Sequence, residues 1–107
     1  QNDSAWADAV NWTVYAMIIM DEYGVTSANV DATCATAEAE VSRLCGGDGE
    51  LQTGMGLAAD AFHQVIKQVG SYGEVYDRNL NPVGLYREGS ANAGWLDGGL
   101  IYSPPAR

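Results

Sequence analysis

Positive charge is scarce in this sequence: five Lys and Arg stand against fourteen Asp and Glu, for a net charge of −9. Such a surface repels phosphate backbones and the anionic face of membranes, which excludes nucleic acid and acidic lipid as natural partners. The acids are spread from Asp3 to Asp97 without a run of like charge, so they read as a solvated surface and not as an acidic tail. Long apolar runs are missing too. The strongest, residues 14–20, falls far below the roughly 20 residues needed to span a bilayer. The polar opening QNDS is no signal peptide, and any export signal is expected upstream of it.

Histidine occurs once and cysteine twice, too few for a zinc site, and the separation of Cys34 and Cys45 does not match a C-x-x-C redox pair. Two readings of the cysteines stay open. A disulfide adds about 3 kcal/mol in the chain-entropy model, but it needs Cα atoms within about 7 Å, and therefore a turn after Cys34. The alternative is a pair of free thiols.

What the chain does have is apolar content, 47% over 107 residues, enough for one compact domain with a single core. Trp6, Val10, Val14, Met17 and Ile18 recur at helical spacing, with Ser4 as N-cap and Gly24 as C-cap. The second half of that helix is apolar nearly all round, so both of its sides require cover, and Asp21 and Glu22 end it against the preference of the helix dipole. Thr26 or Ser27 is expected to cap a short helical turn through Val30, and a further short helix is expected from Thr36 to Gly46. Five glycines between Gly46 and Gly56 read as a turning connection.

Leu57, Ala58, Ala61, Phe62, Val65, Ile66 and Val69 make one broad stripe, predicting a helix over 57–69 with Asp60 in its first turn. Tyr72, Val75, Tyr76 and Leu80 continue the spacing past Gly70, as a kinked continuation or as a second helix. Beyond Leu80 the chain is irregular, with Leu100 to Tyr102 its best short strand.

No catalytic or metal site assembles. His63, with Asp60 on a neighbouring face, reads as a helix-surface histidine, because one imidazole and one carboxylate are too few for catalysis or metal binding. Glu38 and Glu40 point to different faces, and Glu74 and Asp77 are followed by Arg78, so neither pair resembles a tuned acid and base. Asp48 and Glu50 lack the ordered oxygen ligands of an EF-hand, and the glycine-rich stretches match no phosphate-binding loop. The sequons at Asn2 and Asn11 are short enough to arise by chance. Trp6, Trp12 and Tyr15 are expected in the core, and Trp95 is expected to anchor the glycine-rich tail to a surface.

Two stretches carry a resemblance: AWADAVNWTVYAMIIMDEYGVTSANVD near the start and VGSYGEVYDRNLNPVGLYREGSANAGWLDGGLIYSPPAR at the end. In the second, the order of YGEVYDRNL, NAGW, DGGL and Y-x-P-P-x-R is specific. Together they resemble the C-terminal region of the periplasmic general L-amino-acid-binding proteins of polar amino acid ABC transporters. The resemblance implies a two-lobed α/β (type II) periplasmic binding fold, to which this mainly α segment contributes the C-terminal part. On that footing residues 1–80 are a helical segment and 81–107 an irregular tail packing on the helices or on a missing lobe.

Arg107 then reads as a true C-terminus. The implied partners are an L-amino acid, bound by the full-length receptor, and the membrane permease; the location is periplasmic, with no cofactor and no enzymatic activity. In the family an arginine and an acid that hold the ligand come from upstream, so no ligand-binding residue is carried over, and Arg78, Arg87 and Asp97 are read as ties between helices and tail. Stretch 32–54, with both cysteines, departs from the family pattern. Uncovered apolar faces predict that the isolated chain forms a homo-oligomer. The rival reading is a stand-alone small helical protein-interaction module.

Overall fold

The computed structural model describes residues 4–47 and 51–105. Among them are the helices α1 (Ser4–Glu22), α2 (Val30–Thr36), α3 (Ala39–Leu44), α4 (Leu51–Gly54), α5 (Ala61–Gln68) and α6 (Tyr72–Leu80). Two 3-10 turns follow, Asn81–Val83 and Trp95–Asp97. Leu100 to Tyr102 is not a strand: Ile101 makes an isolated parallel bridge to Gly94, and the glycines around it leave no second residue to extend a ladder.

The second half of α1 is the spine. Ala16, Ile19 and Met20 join Val25, Val30, Val41, Leu44, Phe62 and Ile66 in the core, while Ile18, also buried, completes an almost unbroken apolar run. α5 and α6 both pack on α1. The helix ends at Gly24, whose backbone is left-handed (φ +72), and the Val25 N–H reaches back to the Met20 carbonyl at 2.8 Å. This is a glycine C-cap in which the residue after the glycine and the one it bonds share an apolar contact, here inside the core.

The first half of α1 behaves differently. Trp6 was expected in the core but is 72% exposed, with Val10 and Val14 at 41% and 44%. The i, i+4, i+8 stripe they form therefore faces outward, while the buried residues of α1 all lie in its second half. Trp12 does pack against the core, edge-on to Tyr15 at 5.2 Å between ring centres. Ser4 is the first described residue of the helix.

The short elements also shift from expectation. Thr26 and Asn29 cap each other's backbone N–H groups (2.7 and 3.3 Å), so Val30 opens α2 and does not close a turn. Ala37 and Glu38 are extended, which delays the next helix to Ala39 and reverses the chain. That reversal brings the Cys34 and Cys45 Cα atoms to 5.7 Å, and the two residues are joined by a disulfide. The glycine-rich run holds one helical turn, α4, and residues 48–50 of it lie outside the described ones.

The helix expected over 57–69 begins four residues late. The Leu57 N–H closes on the Gln52 carbonyl (3.0 Å), which ties Leu57 to α4, and Asp60 becomes the N-cap position of α5 instead of a first-turn residue. Gln52 decides this arrangement. It is 2% exposed, its amide donates to the carbonyls of Arg43 (2.8 Å) and Leu44 (3.3 Å), and its oxygen accepts the Phe62 N–H (2.9 Å). One buried side chain thus satisfies the end of α3 and the start of α5. At Gly70 (φ +114) α5 and α6 are separate helices, and Ser71 with Glu74 forms a capping box on α6.

Candidate functional site: where the tail meets α1 and α6

Arg87 lies at the centre of this junction. Its Nη1 donates to Asp21 Oδ2 at 2.9 Å, its Nε donates to the Asn92 carbonyl at 2.8 Å, and its guanidinium stacks over the Tyr72 ring at 5.0 Å. Both charged side chains are largely withdrawn from solvent, 15% and 24% exposed, which places this ion pair in the class where geometry matters. Asn92 continues the link by donating to the Tyr76 hydroxyl at 3.3 Å. Gly73 makes the approach feasible, since a Cβ there would stand 2.8 Å from Arg87 Nη1 and closer still to the Asp21 carboxylate.

One residue along from Asp21, Glu22 has an oxygen, Oε2, that is sealed from solvent and has no hydrogen-bond partner. Burial raises its pKa above the ordinary value; the Trp95 indole, as a hydrogen-bond donor, opposes this, and the charges of Glu40 and Asp21 reinforce it. Beside the junction a cleft of about 880 Å³ is lined by Asp77, Asn81, Tyr86, Arg87, Glu88 and Asp97 among others. Its walls are acidic, and the Arg87 fork is turned to Asp21 and Asn92. Two of the fork's three nitrogens, Nη1 and Nε, are thus spent within the fold, where an arginine that receives a ligand carboxylate offers two donors to it.

The other residues singled out in the sequence are dispersed. His63 pairs with Asp31 of α2 at 2.8 Å and not with Asp60, because α2 packs on α5; Lys67 joins the same carboxylate at 3.1 Å. Hydrogen bonds from His63 and then Lys67 hold the Asp31 carboxyl below its usual range. Asp60 instead accepts from Gln64. The Tyr23 hydroxyl donates to Glu40 at 3.0 Å, a bond that raises the phenol's pKa. Glu74 is partly desolvated, yet its pKa is lowered, because the Ser71 and Ser27 N–H groups and the Ser27 hydroxyl donate to it and Arg78 lies nearby.

Arg78 caps the end of α5 through the Val69 carbonyl (3.0 Å), and Asp97 lines the cleft. Within the Asn11 sequon, the Thr13 hydroxyl turns back to the Ala9 carbonyl (2.7 Å) in mid-helix. Asn2, Asp48 and Glu50 lie outside the described residues. No group of three His, Cys, Asp or Glu placed to hold a metal ion exists among the described residues. No described helix is long and apolar enough to cross a membrane.

No family model matches the chain. Individual relatives do. The general L-amino acid-binding periplasmic protein AapJ of Rhizobium johnstonii is 40% identical over 112 aligned residues, covering all of this chain and 32% of the relative. The glutamate/glutamine/aspartate/asparagine-binding protein BztA of Rhodobacter capsulatus is 39% identical, covering 98% of this chain and 32% of the relative. A putative amino-acid ABC transporter-binding protein of Escherichia coli, YhdW, is 34% identical with the same 32% of its length matched.

A solved ABC transporter periplasmic binding protein from Brucella ovis superposes on the whole chain with a TM-score of 0.91 at 38% identity, and there too only 34% of the neighbour is covered. The chain is a homologue of the C-terminal third of periplasmic amino-acid-binding proteins. It spans about a third of the length of the relatives it matches. Its helices are the helical C-terminal segment of the periplasmic binding protein fold. The unfamiliar stretch 32–54 does not interrupt the match, since the alignments run through it.

Proposed function

We propose that this chain is the C-terminal part of the substrate-binding component of an amino-acid ABC importer, supporting a two-lobed periplasmic receptor without touching its ligand. The observation that carries the proposal is the end-to-end match to the last third of proteins named for amino-acid binding. The Arg87 geometry supports the second half: its fork is engaged within the fold, so the arginine and acid that hold an amino acid's charged ends come from the lobes upstream. On this reading residues 1–80 form the helical support and 81–107 a tail laid over it. The receptor's partners are an L-amino acid, or a molecule carrying one as does the glutathione in the Brucella ovis structure, and the membrane permease. The working location is the periplasm, and the role is binding, not catalysis.

Calorimetric titration tests the division of labour. The isolated 107-residue chain is expected to show no saturable heat with glutamate, glutamine, aspartate, asparagine or glutathione, whereas a full-length receptor carrying it binds at least one of them. Saturable binding by the isolated chain would place ligand contacts in this segment and contradict the reading. In the same preparation the outward Trp6, Val10 and Val14 stripe is expected to drive self-association as concentration rises.

A further inference from the structure

Helix α3 stands apart from the rest of the bundle. α1 packs on α5 and α6, and α2 on α5, whereas the helix on which α3 chiefly packs is its short neighbour α4. Of the nine buried residues in the core cluster α3 supplies two, Val41 and Leu44, so the other seven stay together if it lifts. Its two flanks are able to bend. On the entry side Ala37 and Glu38 are extended and Ala39 is left-handed (φ +53), a reversal built without glycine or proline. On the exit side come Gly46, also left-handed (φ +90), and Gly47, whose backbones turn at little cost.

One covalent tie closes this element. Cys45, the C-cap of α3, is bonded to Cys34 of α2 with the Cα atoms 5.7 Å apart. Both cysteines are half-buried, so a small reductant can reach them. The other ties of α3, the Gln52 amide on the Arg43 and Leu44 carbonyls and the Tyr23 hydroxyl on Glu40 among them, are non-covalent.

We propose that the bridge is a redox-controlled latch on α3: when a dithiol reduces it, residues 37–47 open as a unit while α1, α2, α5 and α6 stay packed. One thiolate of the dithiol attacks a bridge sulfur and breaks the Cys34–Cys45 bond, and its second thiol then displaces the first from the mixed disulfide. The dithiol leaves as its own cyclic disulfide, and its two protons end on the Cys34 and Cys45 thiols. Freed of the cross-link, the open segment regains chain entropy, which raises its opening equilibrium on the order of a hundredfold for a loop of this length. Relaxation of the left-handed Ala39 works in the same direction. Burial of Val41 and Leu44 opposes both and keeps the closed form in the majority, so the latch shifts a population.

Native-state amide exchange across sub-denaturing urea, on the 107-residue chain with and without dithiothreitol, tests this. The Cys45, Gly46 and Gly47 N–H groups, bonded to carbonyls of α3, read the latch, and the Val25 and Val69 N–H groups read the body. Reduction is expected to raise the opening equilibrium of the first set on the order of a hundredfold, with little dependence on urea because a local opening exposes little surface. The Val25 and Val69 amides are expected to open less often and with a steeper urea dependence. Reoxidation is expected to restore the original rates. Cys34→Ser/Cys45→Ser is expected to match the reduced chain without reductant; should that variant not fold, the reduced chain decides alone. Opening at Cys45, Gly46 and Gly47 that ignores reduction overturns the proposal. So does a reduced chain in which these amides share the opening equilibrium and urea slope of Val25 and Val69, since that is global unfolding, or rates that reoxidation fails to restore. None of these outcomes depends on whether the chain belongs to a receptor.

Discussion

Replacing Gln52 with leucine is expected to lower the unfolding free energy by about 3 kcal/mol, although leucine is similar in size and more apolar. The amide of Gln52 serves the Arg43 and Leu44 carbonyls and its oxygen serves the Phe62 N–H, the last two bonds buried and the first partly so, at a residue 2% exposed. Leucine removes the three partners without replacing them, and a buried backbone group left unpaired costs about 1–3 kcal/mol. Against a total of about 5–15 kcal/mol for a domain this is a large share. Urea unfolding followed by far-ultraviolet circular dichroism measures it, with the midpoint falling and the slope unchanged. A loss below about 1 kcal/mol would mean that water reaches these groups and that the link between α3 and α5 lies elsewhere.

Reduction of the Cys34–Cys45 bridge is expected to have a similar effect, about 3 kcal/mol for a loop of this length in the chain-entropy model. The structure adds a local reason. Ala37 and Glu38 interrupt what would be one longer helix, and Ala39 takes a left-handed backbone (φ +53), which disfavours a non-glycine residue by about 1–2 kcal/mol. The bridge holds this reversal closed, and both sulfur-bearing side chains pack against the core around Val30, Val41 and Leu44. Thermal unfolding of the Cys34→Ala/Cys45→Ala double variant, with the oxidised chain as reference, measures the loss. Equal melting temperatures would show that the reversal is held by packing alone.

The parts of the fold that could be read from the sequence are those whose signal is local. α1 and α6 follow from apolar spacing, and Gly70 is legible as the break after α5, although spacing alone leaves a kink and a second helix both open there. The turn that the disulfide requires was stated as a condition, and Ala37–Glu38 supplies it. What escaped depends on distance along the chain. Nothing around Gln52 distinguishes it from any polar residue in a glycine-rich run, because its partners are nine and ten residues away and belong to two other helices.

The same holds for the junction with the tail. Arg87 and Asp21 are separated by 66 residues, and the acid-rich end of α1 could be recognised as unfavourable without revealing what meets it. The sequence places His63 on a helix surface but cannot name its partner, which the packing of α2 on α5 makes Asp31. Trp6 is the opposite case. Its spacing is that of a core residue, and periodicity reports that a face is apolar without naming what covers it. An outward stripe of Trp6, Val10 and Val14 in a chain that matches about a third of its relatives is what a segment of a larger protein presents.

The size of the native gene product tests this account most directly, by immunoblot of source cells with an antibody raised against the chain. A band about three times heavier than the 11.3 kDa of this sequence, in the periplasmic fraction, is the expected result. A band at 11.3 kDa would contradict the receptor and leave a stand-alone helical module in its place.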